Sequence, residues 1–289
     1  MSCVRAHSVA PCGISALRIA ERVGRAATAV TSLEFGVFAG WLEFLLIVGF
    51  LSCAVSLPAS AEPAKYLTEA VADSYRGQDA AADERRHPVE LAEFALVKPG
   101  DTVVDLVPGA GYFTRIFSRI VGPKGRDYAV WPIEYARIDG GEVEAVQELA
   151  KDPHYSNVRV LVEPAAMFSI PVKADVVWTP QNYHDYLCKF MGPVDPKLLA
   201  RSILQALKPG GVFVIIDHAA QEGSGTRDTE AMHRVDPHFV RTNTIAAGFK
   251  FDGESDVLRN SSDSHDVLVF NPIIRGHTDQ FVFRFRVPD

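Results

Sequence analysis

Beyond residue 97 the chain alternates between two hydrophobic patterns. Short runs in which nearly every position is apolar are separated by longer stretches whose apolar positions recur every three or four residues. The short runs at 102–106, 128–131, 158–162, 175–179, 212–217, 249–252 and 281–287 predict strands, and the stretches at 112–121, 141–151, 196–207 and 230–248 predict helices. Residues 65–97 read as helical with a second start at Pro88, because a proline at a first helical position is followed by Val89, Leu91, Ala92, Phe94 and Ala95. Lys98-Pro99-Gly100-Asp101 is a turn. Strands that are apolar throughout are buried on both faces, and helices between them supply the cover. The expectation is one doubly wound α/β domain over residues 62–289. It would hold a mainly parallel seven-stranded sheet with helices on both faces, residues 65–97 forming a helical lid on a core at 98–289. Phe281, Phe283 and Phe285, alternating with Val282, Arg284 and Arg286, read as strand packing on one face.

The first 61 residues follow another pattern. Arg5, Arg18, Arg22 and Arg25 precede an apolar stretch at 35–57, broken by Glu43, Ser52 and Ser56 and followed by Pro58-Ala59-Ser60-Ala61. Basic residues, an apolar run and small residues before a cut are the parts of a secretory signal, which predicts cleavage between Ala61 and Glu62 and a periplasmic protein. The run is also long enough to stay as a membrane anchor. A membrane partner is therefore expected only through residues 35–57, and only if they are retained.

Composition narrows the class. The 289 residues are 47% hydrophobic and 22% charged, which excludes disorder and collagen-like repeats. Residues 62–289 carry 25 basic and 33 acidic side chains, so no nucleic-acid partner is expected. Cys3, Cys12 and Cys53 precede the predicted cut and only Cys188 follows it, so no internal disulfide can staple the body. Cys188 reads as a small buried hydrophobe.

Two motifs carry the resemblance. Val103-Val104-Asp105-Leu106-Val107-Pro108-Gly109-Ala110-Gly111-Tyr112 is a strand, a small-residue turn and a helix start. Ala206-Leu207-Lys208-Pro209-Gly210-Gly211-Val212-Phe213-Val214-Ile215-Ile216-Asp217 is a helix end, a turn and a buried strand. Together they resemble class I S-adenosylmethionine-dependent methyltransferases over about residues 65–289. Asn182-Tyr183-His184-Asp185, Asp217-His218 and Arg275-Gly276-His277-Thr278-Asp279-Gln280-Phe281 resemble more narrowly a group of exported methyltransferases. The resemblance implies a Rossmann-like fold, S-adenosylmethionine as cofactor and methyl transfer to a small-molecule acceptor. It assigns Asp105, Pro108, Gly109, Gly111, Glu134 and Asn182 to cofactor binding. The sequence departs from the family where Val107 stands at the first glycine of the loop and Trp131 at the acidic position after the second strand.

In an open parallel sheet, ligands bind beyond the carboxyl ends of the strands. Asp105 with the glycine loop, residues 182–185 and Asp217-His218 all fall there and should face one crevice. His184 is the first candidate base, with Asp185 or Asp217 to orient it, and His218 is the second. His233, Asp236 and His238, taken with Asp217 and His218, match no metal motif, so no metal is assigned. Arg85, Arg86 and His87 read either as a solvated charge run or as a lid that recognises an anion. Two rival functions stay open at this point: a non-catalytic binding protein on a degenerate fold, and metal-assisted chemistry through His184, Asp185, Asp217 and His218.

Overall fold

The computed structural model describes residues 62–138, 140–192 and 194–289; the expected export segment, residues 1–61, lies outside them. Seven strands form one sheet: β1 (Thr102–Leu106), β2 (Arg126–Pro132), β3 (Val158–Glu163), β4 (Ala174–Pro180), β5 (Leu207–His218), β6 (Lys250–Ser255) and β7 (Gln280–Arg286). Their order is β3-β2-β1-β4-β5-β7-β6. The first five run parallel, and β7 lies antiparallel to both β5 and β6. The helices are α1 (Lys65–Val71), α2 (Asp83–Arg86), α3 (Pro88–Phe94), α4 (Tyr112–Val121), α5 (Ile133–Ala136), α6 (Glu142–Leu149), α7 (Pro196–Ala206), α8 (Thr229–Met232) and α9 (Pro237–Ala246).

Successive strand residues point to opposite faces, and here both faces are dry. Val103, Val176, Trp178, Val212, Val214 and Val282 join one core, with Phe113, Ile116 and Phe117 of α4 and Leu67 and Leu91 of α1 and α3. Val104, Val177, Phe213, Ile215, Phe281, Phe283 and Phe285 join the other, with Leu199 and Ile203 of α7 and Val240 of α9. Two-sided burial is why the strands are apolar without alternation. Trp178 anchors the first core edge-on to Phe113 and Phe117, with ring centroids at 4.8 and 5.3 Å. Cys188 is buried as expected, 2% exposed.

Three elements differ from the sequence reading. β5 starts at Leu207 rather than 212, because a register shift between Ala174 and Val176 absorbs the Pro-Gly-Gly turn. A side chain at Gly211 would meet the Lys208 carbonyl at 2.8 Å, so the turn needs glycine there. The expected helix at 230–248 is broken. His233 adopts a left-handed φ of 54° that ends α8, and Asp236 restarts the helix by accepting a hydrogen bond from the His238 N–H at 2.8 Å, with Pro237 next. Residues 65–97 are less a lid than a layer, since α1 and α3 are packed into the core beside α4 and only the α2 end reaches the crevice. Among the described residues no helix is long and apolar enough to cross a membrane.

Candidate active site

The strand order reverses between β1 and β4, and a crevice of about 590 Å3 opens there beyond the carboxyl ends. Its floor is Val107, Pro108 and Gly109 after β1, Pro180 to Asn182, His184 and Asp185 after β4, and His218 at the end of β5. The volume lies within the range of about 300–1,000 Å3 usual for small-molecule sites. The three distant sequence segments share this crevice through Val107 to Gly109, Asn182, His184, Asp185 and His218, whereas Asp105 and Asp217 are fully buried and do not line it.

The glycine loop is bent by its neighbours. The Asn182 amide nitrogen lies 3.0 Å from the Leu106 carbonyl, 3.1 Å from the Val107 carbonyl and 2.9 Å from the Pro180 carbonyl, and Thr179 donates to its oxygen. This clamp ties the ends of β1 and β4 together and accompanies the left-handed φ of 50° at Val107. Gly109, at φ 58°, turns its open side to the crevice: an added Cβ would meet nothing closer than Glu142 Oε1 at 4.0 Å. The loop backbone is thus accessible to a ligand where the sequence placed it.

Three cofactor assignments move. Asp105 does not face the crevice; it is fully buried within β1, and its Oδ2 accepts from Thr114 Oγ1 at 2.8 Å. Burial pushes its pKa up to about 7, and raises that of its fully buried neighbour Asp127 as well. Gly111 caps α4, and a Cβ there would press on Arg115 and Val146 rather than project into the crevice. Glu134 accepts the Ala165 N–H at 3.0 Å and so ties α5 to the turn after β3. Trp131, where the family carries an acid, is fully buried against Tyr135, with ring centroids at 5.4 Å. Besides Asp185, the carboxylate that lines the crevice is Glu142, at the start of α6, and the Tyr135 ring lines it too. The sequence reading passed over both; the signal available for Glu142 was its position in the first turn after the Gly140-Gly141 pair.

His184, Asp185 and His218 do meet in the crevice, and His233 joins them. Asp217, fully buried, receives the His184 backbone N–H at 2.7 Å and bonds its ring Nδ1 at 2.8 Å. His184 Nε2 faces Asp185 Oδ1 at 3.3 Å and His233 Nδ1 at 3.1 Å. Burial works against the His184 imidazolium, but Asp217 and then Asp185 outweigh it and push its pKa up to about 10. The ring therefore holds its proton at neutrality and is not the free base the sequence suggested. Burial depresses His218 to about 4, and its Nδ1 lies 2.6 Å from Thr278 Oγ1. Burial and the His184 charge also lower His233. Asp236 and His238 stand apart, the first as the α9 cap and the second exposed.

Arg85 and Arg86 of α2 and Arg275 and His277 of the long β6–β7 loop also line the crevice, and the Arg85 side chain packs against Gly276. Arg86 lies over the Tyr112 ring at 4.5 Å. The loop is pinned by Arg234, which is fully buried. Its guanidinium forks onto Asp263 at 2.8 and 3.0 Å and also donates to the Ala219 and Val267 carbonyls.

No family model matches the chain. Over 129 residues it is 29% identical to the ubiquinone/menaquinone biosynthesis C-methyltransferase UbiE of Shewanella woodyi, a match to 43% of this chain and 45% of that one. Over 125 residues it is 27% identical to the protein-L-isoaspartate O-methyltransferase of Ignicoccus hospitalis, a match to 43% of this chain and 51% of that one. The chain thus spans about half the length of these curated relatives. Among solved structures, a putative sarcosine dimethylglycine methyltransferase from Galdieria sulphuraria superposes with TM-score 0.54 at 15% identity, over 75% of this chain and 91% of that one. An S-adenosylmethionine-dependent methyltransferase from Aquifex aeolicus gives 0.52 at 18%, over 72% and 94%. The [4+2]-cyclase SpnF also gives 0.52 at 18%, over 73% and 82%. The architecture is the Rossmann-like fold shared by these methyltransferases.

Proposed function

We propose that the chain is an S-adenosylmethionine-dependent methyltransferase that modifies a small molecule in the crevice at the β1/β4 switch. The observation that carries this reading is the open backbone at Gly109, in a loop leaving the carboxyl end of β1 in this strand order. The curated relatives, both named as methyltransferases, support it.

The residues present fit the cofactor, though not all by the family's usual pattern. The crevice-lining segment Val107 to Gly109 would hold the methionine part, and Arg86 suits its carboxylate. Glu142, a hydrogen-bond acceptor within 4.0 Å of the Cβ position of Gly109, would take the ribose hydroxyls in place of the acid that Trp131 replaces. Tyr135 offers an aromatic wall for the adenine. When bound, the cofactor supplies an electrophilic methyl group. The chain's own part is to hold an acceptor in line with it and to keep water out. His184, Asp185, His218 and His233 line the same crevice as the glycine loop and would position the acceptor. Arg85 and Arg275 in the crevice lining favour an acceptor that carries negative charge.

Since SpnF is named a cyclase, the fold alone does not fix the chemistry. Photolabelling of the full chain with S-adenosylmethionine bearing a radioactive methyl group tests the placement. Label should map by mass spectrometry to peptides containing residues 107–111 or 135–142 and be suppressed by excess demethylated cofactor. Label confined to other peptides would place the cofactor elsewhere.

A further inference from the structure

The sequence spacing suggested no metal motif, yet folding brings two imidazoles and a carboxylate to one point. The candidate ligand atoms of His184, Asp185 and His233 all lie within 4.8 Å of one another. We propose that these three side chains form a binding site for one divalent transition cation of the zinc, cobalt or iron type, open to the crevice.

Two observations support the site. The first is spacing. Metal bonds to histidine nitrogen and carboxylate oxygen are about 2.1 Å, so neighbouring ligand atoms stand about 3.0 Å apart at a right angle and about 3.4 Å apart at a tetrahedral angle. His184 Nε2 is 3.1 Å from His233 Nδ1 and 3.3 Å from Asp185 Oδ1, inside that range, and the third edge, His233 Nδ1 to Asp185 Oδ1, is 3.8 Å. Small side-chain rotations close the remaining few tenths of an ångström.

The second is the support behind the first ligand. Asp217 engages His184 Nδ1 at 2.8 Å, which aims Nε2 at the other two groups, where an arriving ion would displace its proton. A buried carboxylate behind a ligating histidine fixes its tautomer and raises its basicity. Asp217 is 0% exposed and holds the His184 backbone N–H as well, so the ring is positioned before any ion arrives.

The donor set decides the ion class. Two nitrogens and one oxygen suit zinc, cobalt or iron, whereas magnesium and calcium prefer oxygen. Three protein ligands leave a coordination position on the crevice side, the arrangement of sites that bind an exchangeable molecule. The set differs from the one drawn from sequence: Asp217 stands behind His184 rather than on the ion, and His218 turns to Thr278. The site does not depend on the cofactor reading, because it can be tested with metal alone.

The test uses the full chain, stripped with chelator and titrated with Co2+. One equivalent should bind with weak visible absorption of a nitrogen–oxygen site, without the strong near-ultraviolet band that cysteine ligation gives, and Zn2+ should displace it. His233→Ala, whose side chain is 31% exposed, should fold and weaken binding at least about 10-fold. His238→Ala, on the exposed face of α9, should bind as the parent does. Near-ultraviolet circular dichroism confirms that each variant is folded. Absence of Co2+ binding by the folded parent, or equal affinity in the His233→Ala variant, overturns the site.

Discussion

Two residues of the first strand–loop unit show how position changes the role of a familiar motif. Gly109 faces open crevice at φ 58°, so Gly109→Val adds both a β-branched clash with the bound ligand and backbone strain. It should abolish cofactor binding measured by calorimetry while the chain stays folded. Asp105 lies behind the loop in dry sheet. Its Oδ1 and both carboxyl oxygens of Asp127 lack hydrogen-bond partners among the described residues. A carboxyl whose pKa is raised by folding binds more protons in the native state, so stability falls as pH rises from the unfolded carboxylate value, about 3.9, to the folded one. For Asp105 that window ends at about 7. Asp127→Asn should therefore need more urea to unfold than the parent at pH 8 and show little difference at pH 4. A gain of equal size at both pH values would separate the effect from ionisation. The sequence could show that Asp105 precedes the loop; it could not show that Asp127, 22 positions on, would share its burial.

Among the elements, strands were legible because two-sided burial leaves no polar alternation to confuse with a helix, as at β1 and β4. The helix break at His233 was missed although its restart was written in the chain, as Asp236 followed by Pro237. The left-handed φ of His233 had no such signal. The long β6–β7 segment was legible only as motifs, because what fixes it is Arg234 meeting Asp263, 29 positions away. Removing one partner of a buried ion pair strands the other charge. Arg234→Met should cost about 3–5 kcal/mol in urea unfolding, and mobility of the β6–β7 loop should rise in hydrogen exchange. A cost below about 1 kcal/mol would show that the loop is held by other contacts. The same logic explains the reassignment of Glu134: its nearness in sequence to Trp131 suggested a ligand, but the Ala165 N–H claims it.

For the molecule as a whole, the fold was readable from strand spacing and the two glycine turns, whereas the crevice chemistry was not. Convergence of β1, β4 and β5 followed from topology, and with it the grouping of Gly109, Asn182, His184 and His218. The protonation of His184 depends on two carboxylates at fixed distances, which no spacing encodes. Residues 1–61 bear on where the protein works. We propose that they direct export, so a bacterial host expressing the full chain should hold a periplasmic product beginning at Glu62. A cytoplasmic product retaining Arg25 to Ala61 would contradict export. The measurement closest to the central claim is calorimetric titration of S-adenosylmethionine and its demethylated product into the full chain. The account predicts one site with micromolar affinity for each, lost in Gly109→Val. Absence of binding to a chain shown to be folded would contradict the methyltransferase reading.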